Sequence, residues 1–256
     1  NYTPYQIEFP LDAGCRKKIS IVCTIEDAYE KDAFATAAAE MARFDALEKK
    51  AGYHDELAET LTIAADHFLA YRQSTGLMTV LAGLPWFTDW GRDTMIALTG
   101  LTLATGRYQD ARDILTTFAR YVHHGMVPNM FPDEGTDPLY NTADASMWYF
   151  YAVGKYLDYT GTPEDYAFVQ ETIYPKLKEI IAAYEHGTDF SIYMEEDGLI
   201  HAGSGLDQVT WMDVRVGDWV ATPRHGKPVE INALWYHALC LMEEWATRFG
   251  EDGSHY

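Results

Sequence analysis

Asp93-Thr94-Met95-Ile96-Ala97-Leu98-Thr99-Gly100-Leu101-Thr102-Leu103-Ala104-Thr105 carries one charge and no polar face at helical spacing, which predicts a helix buried on every side. The segments around it read differently. Upstream, Leu57, Leu61, Ala64, Ala65, Phe68 and Leu69 form one apolar stripe; downstream, Tyr108, Ala111, Ile114, Leu115, Phe118 and Val122 form another, so both of these helices are expected to be half exposed. The alternation continues. Residues 143–160, with Met147-Trp148-Tyr149-Phe150-Tyr151, again lack a polar face; Phe168, Ile173, Leu177, Ile180, Ile181 and Tyr184 return to a stripe; Val229 to Phe249 is apolar over its first four turns. Striped and buried helices in strict alternation, joined by short links such as Thr105-Gly106-Arg107 and Thr160-Gly161-Thr162-Pro163, predict antiparallel pairs with one layer inside the other. An open superhelix of repeats is the alternative, but no fixed-length repeat is present and the buried helices start unevenly, near 93, 143 and 229, which favours a closed ring with variable loops.

Each buried helix is preceded by an acidic, aromatic loop: Pro85-Trp86-Phe87-Thr88-Asp89-Trp90-Gly91-Arg92-Asp93, then Tyr140-Asn141-Thr142-Ala143-Asp144, then Thr210-Trp211-Met212-Asp213 followed by Lys227-Pro228-Val229-Glu230-Ile231-Asn232. If the inner helices stand parallel, their starts share one end of the molecule, and these side chains converge there. Carboxyl groups supply acid–base chemistry and flat rings offer an apolar face on which a sugar can lie. The outline is that of a carbohydrate site.

The remaining segments add less. Ile19, Ile21, Cys23 and Ile25 alternate with smaller or polar residues, and Tyr5, Ile7 and Phe9 do so briefly; residues 1–26 read as strands at the tail of a preceding β domain, with 27–256 as the helical part. Phe34, Ala37, Ala38, Met41, Phe44 and Leu47 predict an amphipathic linker helix. Phe190–Met194 and Leu199–His201 around Asp197-Gly198 predict a β-hairpin.

Of 256 residues, 48% are hydrophobic, enough for a substantial core, and the formal charge of −20 disfavours nucleic acid and anionic membrane as partners. Cys15, Cys23 and Cys240 show no metal-ligand spacing, so structural thiols in a reducing compartment are expected. His123-His124 and His201 likewise lack partners at ligand spacing, so no metal site is expected. With no apolar run near the ~20 residues that span a bilayer and no signal pattern, a cytoplasmic location is expected.

The three loops resemble the C-terminal amylo-α-1,6-glucosidase domain of glycogen debranching enzymes, through Leu84–Asp93, Tyr140–Trp148, and Thr210–Asp213 with Thr222-Pro-Arg and Gly226–Tyr236. The resemblance implies an (α/α)6 toroid, of which about the first half falls within this sequence. It also implies hydrolysis of α-1,6-linked glucose at branch points with inversion, using no metal or organic cofactor. Asp213 is similar to the family's general acid, whose raised pKa an apolar wall of Trp211 and Met212 would supply by desolvation; a helix or turn cap is the alternative role. Arg92 and Asp93 resemble the pair that holds hydroxyls of the non-reducing glucose, the alternative being a buried ion pair and an N-cap. Trp86, Trp90 and Trp211 are candidate sugar platforms or core rings. Asp89, Asn141 and Asp144 are candidate lining residues, with capping the competing role for both aspartates. Glu230 places a carboxylate at the same end, or stabilises a first turn. The family's general base is a glutamate beyond Tyr256, and Glu230 is the one carboxylate here to test in its place. The segment alone is expected to be inactive and to expose an apolar flank. A glucoamylase or trehalase type of inverting toroid, and a non-catalytic glycan-binding helical module, are the competing functions.

Overall fold

A computed structural model describes residues 6–24, 27, 30–84, 86–132 and 137–256. Two compact units divide at Leu47–Glu48. In the first, residues 6–24 form no strand, so the expected strands are not found among the described residues. Tyr5 and Ile25 of that expectation lie outside the described residues. Helix α1 (Ala33–Ala51) crosses the boundary between the units and buries none of its residues.

The second unit is mainly helical. Helix α2 (Glu56–Asp66) is capped by Asp55, whose carboxylate accepts from the Ala58 amide. It stops earlier than its apolar stripe suggests. Phe68 and Leu69 leave the helix, and β1 (Leu69–Arg72) pairs antiparallel with β2 (Leu77–Val80) in a hairpin that helical spacing had masked. Then come the short strand β3 (Asp89–Trp90), helix α3 (Gly91–Leu98), which continues through a π turn at Thr99–Leu103, and helix α4 (Tyr108–Arg120). Strand β4 (Met130–Phe131) pairs with β3. Helix α5 (Asp144–Tyr159) follows, then α6 (Pro163–Phe168) runs through a second π turn, Val169–Ile173, into α7 (Tyr174–His186). The predicted hairpin is present but shorter: β5 (Tyr193–Met194) pairs with β6 (Ile200–His201), while Phe190 and Ser191 take positive φ in a single 3-10 turn. A further hairpin joins β7 (Arg215–Val216) to β8 (Trp219–Val220), and α8 (Val229–Phe249) closes the described chain.

Helices α3, α5 and α8 lie side by side with α5 in the middle, and α2, α4 and α6–α7 pack behind them, giving three helix pairs of a partial α/α toroid. Position explains how far each inner helix is buried. Helix α5 has a neighbour on both flanks and buries Asp144–Met147, Tyr149, Phe150, Ala152, Val153, Tyr156 and Leu157. Helices α3 and α8 have one flank each uncovered. The expectation of burial all round is therefore corrected for both: Ile96 on α3 and Val229 and Tyr236 on α8 are exposed, and α8 buries only the stripe Ile231, Trp235, Ala238, Met242 and Trp245 with Ala246. All three cysteines are exposed, so the reading of them as structural thiols is also corrected. Among the described residues, no helix is long and apolar enough to cross a membrane.

Gly91 is fixed by close approach. The Gly91 amide donates to the Asn129 carbonyl (2.8 Å), and a Cβ at Gly91 would lie 2.0 Å from the Pro128 carbonyl oxygen. Gly91→Ala must push α3 away from the β4 segment, with an expected loss of about 1–3 kcal/mol in urea unfolding. Parent-like stability would show that the approach is not tight.

Candidate active site

The site is assembled at the starts of the three inner helices. Pairing of β3 with β4 fixes the first loop, so that Trp90 precedes α3 and Arg92 and Asp93 fall in its first turn. The Ala143 amide donates to the Val209 carbonyl (2.8 Å), which lays the third loop against the entry to α5. Tyr184 donates to the Ala143 carbonyl (2.7 Å) from behind, holding the same turn.

Arg92 is the centre. Its Nε and Nη2 donate to the two carboxylate oxygens of Asp144 at 2.7 and 2.9 Å, a fork-to-carboxylate pair, and its Nη1 lies 3.6 Å from Asp213 Oδ2. Thr142 Oγ1 donates to Asp144 Oδ1 at 2.7 Å. Side chains separated by 121 positions, from 92 to 213, thus meet around one guanidinium. Burial works against the charge on Arg92, but the hydrogen bond and charge of Asp144, with Asp213 and Asp93 nearby, outweigh it and raise its pKa.

A pocket of about 260 Å³ opens beside this cluster, lined by Ala82, Phe87, Trp90, Arg92, Asp93 and Asp213. Phe87 and Trp90 meet edge to face, with centroids 6.3 Å apart, and supply its aromatic wall. Asp93 reaches solvent at the pocket but is crowded by protein on its inner side. Loss of hydration raises its pKa above the ordinary carboxylate value; Arg92 opposes this, and Asp144 and Asp213 reinforce it. A largely apolar groove of about 360 Å³ shares Arg92 and Asp93 and runs along the uncovered flank of α3 past Ile96 and Leu101.

The raised pKa of Asp93 has a consequence for stability. In the folded protein this carboxyl keeps its proton to higher pH than in the unfolded chain, so folding takes up a proton between those two values. Stability therefore falls as pH rises through that window and stays reduced above it. Asp93→Asn removes the cost, so its Tm should match or exceed the parent's near neutral pH, with the difference narrowing in acid. A lower Tm at neutral pH would contradict this reading.

Several expected residues sit elsewhere. Asp89 neither caps the turn nor reaches the pocket: it is buried, and Arg72 and Thr79 of the β1–β2 hairpin hold both of its oxygens. Trp86 is exposed and does not line the pocket, and Trp211 is 57% exposed. The apolar wall expected around Asp213 is thus not provided by Trp211; Asp213 instead pairs with Arg92. Asn141 accepts from the Asn129 amide at 3.4 Å, beside the cluster. Neither Asp93 nor Asp144 is an N-cap, since Trp90 and Ala143 occupy those positions. Glu230 is in the first turn of α8, with both oxygens held by Arg224, which lowers its pKa. A carboxylate so engaged is a poor acceptor for a water's proton, which weighs against Glu230 as the base.

Three participants escaped sequence reasoning. Phe87 lies in the first loop, where a phenyl ring gives no sign that separates pocket wall from core. Thr142 and Arg224 fall in matching segments, yet only geometry shows that Thr142 holds Asp144, and that Arg224 grips Glu230 while sensing the charge of Asp144.

Comparison with known proteins places the chain in a family. A family model described as amylo-alpha-1,6-glucosidase matches residues 63–256. The glycogen debranching enzyme of Saccharomyces cerevisiae is 29% identical over 249 aligned positions, which cover 73% of this chain and 16% of that protein. The chain therefore spans less than a fifth of that relative's length.

Proposed function

This chain belongs to the amylo-alpha-1,6-glucosidase family, and from that premise we propose that it forms the first part of a domain that hydrolyses α-1,6-glucosidic branch points of glycogen-like glucans with inversion. Residues 27–256 are read as that first part. The observation that carries the proposal is the bridge formed by Arg92 between Asp144 and Asp213 at the rim of a pocket walled by Phe87 and Trp90.

In this reading the branch glucose enters the pocket with an apolar face on Trp90 and Phe87. Asp93 and Arg92 take hydroxyls that lose water on entry, a match that a carboxylate and a guanidinium fork make well. Asp144, buried and doubly bonded, acts on Arg92 rather than on sugar: it fixes the plane of the guanidinium. Asp213 is only partly exposed and sits at the pocket wall. It gives its proton to the oxygen linking the branch glucose to the main chain as that bond breaks. Inversion then requires water on the opposite face of the ring, deprotonated by a second carboxylate roughly 6.5–9.5 Å from the first. Glu230 is not assigned that role, because its oxygens are spent on Arg224.

The test is product analysis with the full-length protein on a malto-oligosaccharide bearing one α-1,6-linked glucose, beside its linear α-1,4 counterpart. Release of β-glucose from the branched compound, with the linear one untouched, is expected. Release of α-glucose would refute inversion; preference for the linear compound would favour a glucoamylase-type enzyme; binding without release would favour a glycan-binding module.

A further inference from the structure

The β1–β2 hairpin holds the last residues of the first loop at two points, and both adjoin the pocket wall. At one, Arg72 and Thr79 bind the buried Asp89: Arg72 Nε donates to Oδ2 at 2.7 Å, its Nη2 donates to Oδ1, and Thr79 Oγ1 donates to Oδ2 at 2.8 Å. At the other, the amide of Ala82, just past β2, donates to the Thr88 carbonyl at 2.9 Å. Ala82 itself lines the pocket. The register explains the reach. Arg72 lies opposite Leu77, two residues from Thr79, so Arg72 and Thr79 share a face of the hairpin. Asp89 lies opposite Phe131 in the β3–β4 pair, and Arg72 stands over the Phe131 ring, 5.6 Å from its centroid, with Nη1 3.5 Å from the Pro132 carbonyl. One guanidinium thus joins β1, β3 and the end of β4. Trp90, next along β3, points to the opposite face, where it lines the pocket with Phe87.

We infer that Arg72 is a positioning residue for the reaction: through Asp89 it sets Trp90 and Phe87 against the branch glucose without touching that sugar. The inference rests on the hydrolase reading above. Apolar side chains at 72 and 89 would hold the loop about as firmly, because a buried ion pair gives up hydration as it forms; what the fork adds is a single orientation. Orientation matters here because the neighbours of Asp89 are the wall itself. Phe87 is 56% exposed, so core packing does not fix its place. Its amide donates to the Gly83 carbonyl at 2.8 Å, its ring meets Trp90, and Asp89, two residues on, is anchored in the core. Arg92 follows three residues after Asp89, so the same anchor fixes the entry to α3. A shift of about 1 Å in groups that hold a substrate can cost about 100-fold in rate.

The experiment compares parent full-length protein with Arg72→Met, Arg72→Lys and the double variant Arg72→Met with Asp89→Leu. Two substrates are used: the singly branched malto-oligosaccharide and α-glucosyl fluoride, whose leaving group is a lone ion. The wall meets the sugar being removed, which both substrates share. Arg72→Met is therefore expected to raise KM about 10-fold on both, with kcat lowered far less. Arg72→Lys, which keeps the charge but not the fork, should recover part of this. The double variant should keep the raised KM at parental Tm, which separates orientation from stability even where Arg72→Met alone folds poorly. A fall in kcat at parental KM, in step with the unfolded fraction, overturns the inference and leaves the hydrolase reading standing, since the pair would then serve stability alone. A loss confined to the branched substrate overturns it too, because the effect would lie on the acid or the departing chain. So does a double variant with parental KM. A parent inactive on the branched substrate overturns the hydrolase reading, and this inference with it.

Discussion

In the full-length protein, Asp213→Asn is expected to lower hydrolysis of the branched malto-oligosaccharide by about 10²–10⁴-fold, with KM changed little. The exchange preserves size and keeps an oxygen facing Arg92 Nη1, so the arrangement around the guanidinium should survive. What disappears is the transferable proton. The linking oxygen is a poor leaving group unless protonated, whereas fluoride departs without help. The loss should therefore be far smaller on α-glucosyl fluoride, and this contrast separates an acid from a residue that merely positions sugar. A comparable fall on both substrates, or a rise in KM with kcat intact, would remove Asp213 from the acid's role.

Periodicity made the helix pairs legible. Striped and apolar segments predicted six helical rods after the linker, and the start of α8 at Val229 follows its apolar pattern closely. Periodicity failed where strands are two to four residues long. Leu69 continued the stripe of α2 by chance, and the two-residue strands β3, β4, β7 and β8 are too short for alternation to register. It failed again where burial depends on neighbours rather than on composition: α3 and α5 look equally apolar in sequence, yet only α5 is covered on both flanks. In the site, Arg92, Asp93, Asp144, Asp213 and Trp90 came together as the loops implied. Asp89 illustrates the limit. An aspartate in an acidic, aromatic loop reads as a ligand, but its role is set by Arg72, seventeen positions earlier in a hairpin whose pattern the sequence reading does not reveal. Ion-pair partners at such distances leave no trace in spacing, and Arg224 with Glu230 shows the same.

The pair at the centre should also show in stability, and Arg92→Met is the variant to test it. Asp144 is 2% exposed and depends on Arg92 for two of its hydrogen bonds, with Thr142 supplying a third. Taking away one member of a buried pair leaves a desolvated charge, at a cost of about 3–5 kcal/mol, whereas replacing both members with apolar groups is often neutral. Urea unfolding should therefore show Arg92→Met losing an amount in that range, and Arg92→Met with Asp144→Leu recovering most of it. Arg92→Lys should fall between, since it keeps the charge but cannot form the fork. If the single variant stays near parent stability, the pair is not truly desolvated and Asp144 is free to meet ligand. If the double variant is no better than the single, Arg92 owes its importance to packing. Recovery of fold without recovery of hydrolysis in the double variant is the outcome expected of this site: the ion pair orients the guanidinium for sugar, and its cost is accepted where apolar residues would hold the same helices together.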